Sequence, residues 1–114
     1  MDIDSLIIKY PKIFSSEEFL GFECGDGWAE IIDNFCRITQ QRIDRGDCIQ
    51  VIAEQVKEKF GGIRFYYSGG DDFVYKLYCI LEDLSFKTCE ICGAEGKLRH
   101  GGWLKTHCDN CTRT

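Results

Sequence analysis

Four of the eight cysteines form two Cys-x-x-Cys pairs near the end of the 114-residue chain. They are Cys89-Glu90-Ile91-Cys92 and Cys108-Asp109-Asn110-Cys111, with fifteen residues, 93–107, between them. Two intervening residues let one tight turn present both sulfurs to a single ion, and zinc takes four soft thiolates in a tetrahedron. The spacing predicts that Cys89, Cys92, Cys108 and Cys111 hold one structural Zn2+. Four thiolates fill the shell, so the expected metal is not catalytic.

The residues between the pairs extend the pattern. Gly93 follows the first pair, where a turn needs positive φ. Two short strands are expected at 97–100 and 103–106, joined by a two-residue Gly101-Gly102 turn. Trp103 and Leu104 are expected to dock this hairpin on the rest of the chain. Knuckle, hairpin, knuckle is the layout of a zinc ribbon. His100 or His107 offers a substitute ligand, but four thiolates at matched spacing are the simpler set. A tail of this size buries too little apolar surface to fold alone. Structural zinc supplies on the order of 10–16 kcal/mol of apparent binding free energy.

Two alternatives to a metal fail on context. Disulfides need an oxidising compartment. The start, Met1-Asp2-Ile3-Asp4, is acidic and no apolar signal-peptide region follows, so a cytoplasmic protein is expected. A redox Cys-x-x-Cys usually sits beside a βαβ pattern, and the presence of two such pairs argues against it. The other cysteines, Cys24, Cys36, Cys48 and Cys79, are scattered singly and read as small buried hydrophobes.

Charge is divided along the chain. Residues 1–85 carry 9 Lys and Arg against 16 Asp and Glu, whereas 86–114 carry 5 against 3. The net −5 is therefore an acidic body with a weakly basic tail. Such a body repels phosphate backbones. Lys87, Lys97, Arg99, Lys105 and Arg113 leave nucleic-acid contact through the tail as the lesser alternative. No apolar run is long enough to span a membrane.

The fold class expected is α+β, with a body at 1–86 and the zinc-ribbon tail at 87–114 packed on it as effectively one domain. A short helix at 2–9 is capped by Asp2 or Asp4 and stopped by Pro11. Ser15 with Glu18 has capping-box character and suggests a further helical turn. The glycine-rich Gly21-Phe22-Glu23-Cys24-Gly25-Asp26-Gly27-Trp28 carries no phosphate-loop signature. It reads first as a structural turn anchored by Trp28, and second as a binding loop that displays it.

From Trp28 to Asp44, Ile31, Ile32, Phe35 and Ile38 recur at helical spacing and predict the main helix. Gly46 is its expected left-handed cap. The stretch 48–60 fits a helix or a strand. The strand is preferred because Gly61-Gly62 leads into Ile63-Arg64-Phe65-Tyr66-Tyr67. Asp71 or Asp72 then caps a second helix at 73–85, with Leu77, Ile80, Leu81 and Leu84 on its apolar side. Both helices should pack on one face of a small antiparallel sheet.

Three segments also resemble a widespread, uncharacterised family of small bacterial and phage proteins. They are Gly25-Asp26-Gly27-Trp28, then Lys57-Glu58-Lys59-Phe60-Gly61-Gly62 running into Arg64-Phe65-Tyr66-Tyr67, and the knuckle Cys89-Glu90-Ile91-Cys92-Gly93 with Gly102-Trp103 and Cys108. The resemblance implies a bacterial or phage origin and a zinc-knuckle tail, and brings no activity with it. The function expected is a non-enzymatic protein-interaction module stabilised by zinc, such as an inhibitor or immunity-type protein. Trp28, Arg64, Tyr66, Arg99 and Trp103 are its candidate binding residues, because aromatic and Arg side chains dominate interface energetics. A small enzyme is the remaining alternative, but no paired nucleophile and base is visible.

Overall fold

The computed structural model describes residues 1–112. Arg113, a member of the expected basic tail, lies outside them. Helix α1 (Ser5–Lys9) is followed by a turn-rich segment and a two-residue strand β1 (Phe22–Glu23). A 3-10 turn (Asp26–Trp28) opens the main helix α2 (Ala29–Asp44). The hairpin β2 (Ile52–Lys59) and β3 (Gly62–Ser68) precedes α3 (Asp72–Ser85). The tail holds β4 (Lys97–Arg99), β5 (Lys105–His107) and α4 (Asp109–Thr112).

This is the α+β architecture expected, with two small sheets and a C-terminal cluster of four cysteines. The body sheet has order β1-β2-β3. Its β2–β3 pair is antiparallel, but β1 runs parallel to β2, pairing Phe22 with Val56. A parallel pair only two residues long leaves no periodic signature in a sequence.

One face of the sheet is buried. Ala53 and Val56 on β2 and Ile63 and Phe65 on β3 are inside. The three-residue step from Ala53 to Val56 comes from a bulge between Ala53 and Gln55, which resets the alternation. Phe65 is the hub. Its ring lies 5.1 Å from Phe35 of α2 and 6.3 Å from Phe14 of the segment after α1. Helix α3 guards the outer edge of β3: the Ile63 N–H donates to Ser85 Oγ at 3.0 Å.

Helix α3 starts where the sequence places its cap. Asp71 accepts the Val74 N–H at 3.0 Å and meets Arg42 of α2 at 2.6 Å. Gly46 ends α2 with φ +84°. Other expectations need correction. Helix α1 begins at Ser5, because Asp2 folds back over the first turn, accepting the Asp4 N–H and, through its carbonyl, the Ser5 hydroxyl. Residues 15–19 make turns only, with Ser16 Oγ accepting the Glu18 N–H.

The β2–β3 turn sits one residue earlier than Gly61-Gly62. Lys59 pairs with Gly62, so Phe60 and Gly61 form the loop, at φ +55° and +87°. Two positive φ values are the signature of the type I′ hairpin turn. Phe60 is the one non-glycine residue with positive φ among those described.

The reason is crowding. A Cβ on Gly62 would lie 2.7 Å from Cε2 of Phe86, and one on Gly61 would collide with the Leu98 side chain of the ribbon. Gly62 is taken up by a close approach within β3, Gly61 serves both a close approach and the turn, and Phe60 takes the other turn position.

Candidate metal centre

Each knuckle is built by local backbone chemistry. In the first, Gly93 turns the chain at φ +84° and its N–H donates to the Cys89 carbonyl at 2.9 Å. In the second, Cys108 precedes α4. Its Sγ accepts the Cys111 N–H at 3.4 Å and its carbonyl accepts the Thr112 hydroxyl at 2.8 Å. The β4–β5 pair, with Lys97 opposite His107, brings the knuckles together. The Arg99 guanidinium spans the base of the hairpin, donating to the His107 carbonyl at 3.1 and 3.2 Å and to Asp109 at 2.8 Å.

The four Sγ atoms lie within 4.8 Å of one another, and Cys92 and Cys108 are 3.6 Å apart. A tetrahedron of thiolates with metal–sulfur bonds of about 2.3 Å puts its sulfurs about 3.8 Å apart. A disulfide needs about 2.05 Å. The spacing therefore fits four ligands around one metal ion. Among the described residues neither His100 nor His107 joins the cluster.

The four thiols differ in acidity. Burial opposes ionisation of Cys89, but the backbone N–H groups of Cys92, Cys108 and Ile91 outweigh it and bring the thiol down to about 6. Cys108 is also lowered, chiefly by the Cys111 N–H. Cys111 is pushed up to about 12, first by its side-chain hydrogen bond with Cys108. A metal ion replaces such shared protons.

The first knuckle is fastened to the body chiefly through Glu90. Its carbonyl accepts the Gly27 N–H at 2.8 Å and its carboxylate accepts the Gly25 N–H at 2.9 Å. Trp28 Nε1 donates to the Thr88 carbonyl at 2.8 Å. Glycine is required here: a Cβ on Gly27 would sit 2.5 Å from the Glu90 carbonyl carbon. At the far end of the ribbon, buried Thr106 donates its hydroxyl to the Gly61 carbonyl at 2.6 Å, and Lys105 pairs with Glu58 at 2.8 Å.

The structure sorts the remaining candidates. Trp28 is fully buried, so it anchors the loop and does not display itself as a binding residue. Trp103 is the reverse: expected to dock the ribbon, it stands 87% exposed. Strand β4 ends one residue earlier than expected and β5 starts two residues later, so 100–104 form a five-residue loop with Trp103 near its tip. Leu98 and Thr106 do the docking instead. Arg64 is held by the Ile63 carbonyl and by Glu82, and Arg99 by its clamp, so neither guanidinium projects freely. Tyr66 is exposed and lines an acidic groove of about 510 Å³ with Glu18, Glu23 and Glu54.

Of the lone cysteines, Cys36 is buried and raised by that burial. Cys24 is pushed up to about 12 by burial and then by nearby carboxylates, Glu90 foremost. Neither holds thiolate at neutral pH. Sequence reasoning missed Phe60 as an exposed residue. Its neighbours Gly61 and Gly62 drew the turn assignment away from it.

No protein-family model matches the chain, and no curated protein or solved structure is similar to it. No helix among the described residues is long and apolar enough to cross a membrane.

Proposed function

We propose that the chain is a non-enzymatic protein-interaction module whose tail is held by one structural zinc ion. Zinc is the metal the donor set favours, because four thiolates select a soft, tetrahedral ion and leave it no open position. The interaction reading rests on one observation. Trp103, 87% exposed, and Phe60, 63% exposed, line one pocket of about 240 Å³ together with Leu104.

A strained aromatic at a hairpin tip costs on the order of 1 kcal/mol. Burying two aromatic rings against a partner would return that cost several times over. Glu58 and Lys59 also line the pocket: Glu58 pairs with neighbouring Lys105, and the Lys59 ammonium lies 5.6 Å from the Phe60 ring centroid, so the two rings carry a charged rim. The partner it suits is a protein that inserts an apolar side chain between the two rings. The acidic body favours a basic partner, as for an inhibitor of a nucleic-acid-handling enzyme.

The test compares wild type with Phe60→Gly and Trp103→Ala. Each is used as bait for crosslinked capture from a lysate of the source organism, with bound zinc measured on the same samples. One protein captured by wild type and lost by both variants, at one zinc per chain throughout, supports the reading. Capture that ignores both substitutions overturns it. Binding to single-stranded nucleic acid that weakens steeply with salt would install the nucleic-acid alternative instead.

A further inference from the structure

Helix α3 carries more apolar surface than its own core uses. Val74 and Leu81 are buried, whereas Phe73, Ile80 and Leu84 stay exposed, Ile80 at 55%. Leu77 is half-buried beside them. Phe73, Leu77, Ile80 and Leu84 are spaced four, three and four residues apart, which is the seam of a coiled coil. Across from the seam, Ile31, Phe35 and Ile38 of α2, with Asn34 and Arg37 beside them, complete a groove of about 280 Å³. The sequence places Ile80 and Leu84 on the apolar side of α3, and the fold leaves that side open.

We propose that this face pairs with the same face of a second copy, with the two α3 helices antiparallel across a twofold axis. The charges decide the occupant and the orientation. In antiparallel helices with this seam, Leu77 packs against Ile80 of the other copy, and Phe73 packs against its Leu84. The residue just before each a-type seam position then faces its counterpart across the pair. Those residues are Lys76 and Asp83. The register set by the seam puts Lys76 of each copy opposite Asp83 of the other, and twofold symmetry makes the contact twice.

A parallel pairing gives no such match, because it sets Lys76 against Leu81 of the other copy, a position already buried in the body. Within one chain neither residue has an ion-pair partner among the described residues, and both are exposed. The opposite flank of the seam carries Val74 and Leu81, which are already buried in the body, so only one side of the helix is open to a partner. The inference stands apart from the aromatic patch and from the metal, since it uses neither.

The test is the native mass of the full chain by light scattering and sedimentation over a range of concentrations. Wild type is expected at twice the 13.1 kDa chain mass. Ile80→Glu buries a charge in the seam and is expected at the monomer mass. Lys76→Glu and Asp83→Lys, each alone, set like charges opposite one another twice and should weaken the dimer about tenfold. The double variant Lys76→Glu/Asp83→Lys restores opposite charges and should recover wild-type affinity. Both positions are exposed, so the monomer fold survives in every charge variant. A wild-type monomer at concentrations up to about 1 mM overturns the proposal. So does a dimer indifferent to Ile80→Glu, and so does a double variant no tighter than the singles.

Discussion

Gly27→Ala is the sharpest probe of how the four-cysteine tail is joined to the body. Gly27 lies against the first knuckle so closely that an added methyl would collide with the Cys89 and Glu90 carbonyl oxygens. Those atoms are backbone on both sides, so no side chain can swing away. Relief requires the knuckle to lift from the 3-10 turn. Lifting breaks the Gly27–Glu90, Gly25–Glu90 and Trp28–Thr88 hydrogen bonds together. At about 1 kcal/mol each, the loss is about 3 kcal/mol.

Unfolding entropy near 2.1 cal/mol/K per residue then converts this to a fall in Tm of about 12 °C for a chain of this length. The assay is thermal unfolding of the metal-loaded protein by circular dichroism, with Gly101→Ala as the control. Gly101 has nothing within 4 Å of an added Cβ and sits on the same ribbon. Its substitution should move Tm by no more than about 2 °C. If Gly27→Ala melts with Gly101→Ala, the knuckle is not seated on the turn and the account of the joint is wrong.

Other expectations follow from single contacts. Mass spectrometry of protein purified without added metal should find one zinc per chain, and Cys89→Ser should abolish it and disorder the tail; a folded, metal-free tail would refute the structural role. Thr106→Val keeps the shape but leaves the buried Gly61 carbonyl without its donor, and denaturant titration should show a loss of about 1–3 kcal/mol. The Asp71 carboxyl is held below its ordinary range, first by the Val74 N–H and then by Arg42. A depressed carboxyl stabilises the fold above the ordinary carboxylate range and loses that contribution as pH falls through its folded value. The stability difference between wild type and Asp71→Asn should therefore be constant near neutrality and shrink below about pH 4, as followed by melting against pH. Phe60→Gly trades αL strain for backbone entropy, two terms of about 1 kcal/mol, so stability should change little.

What the sequence disclosed is chemistry that acts within a few residues. The Cys-x-x-Cys spacing located all four sulfurs of the cluster, since each pair is closed by its own turn. The heptad-like recurrence through Ile32 and Phe35 located α2, and Asp71 located the start of α3. The hairpin was legible as well, though its register was not. Glycine pairs mark turns because they tolerate positive φ, but a glycine spent on a close approach looks the same in a sequence. Gly61 and Gly62 are held by Leu98 and Phe86, which come later in the chain.

The two tryptophans make the same point in terms of function. Each sits beside a glycine, and nothing local distinguishes them. Trp28 is buried among the body's core residues, and the Thr88 carbonyl, sixty residues away, satisfies its indole N–H. Trp103 is exposed because the β4–β5 register, fixed by the knuckles at either end, ends before it and leaves it on the loop. Burial is decided by what the rest of the chain brings to a residue. The same logic governs Ile80 and Leu84: their apolar side was readable, but the absence of anything in the chain to cover it was not. An apolar seam left open beside two unpaired, opposite charges is a property of the assembled surface, which is why the pairing of α3 with a second copy emerges only once the body has folded.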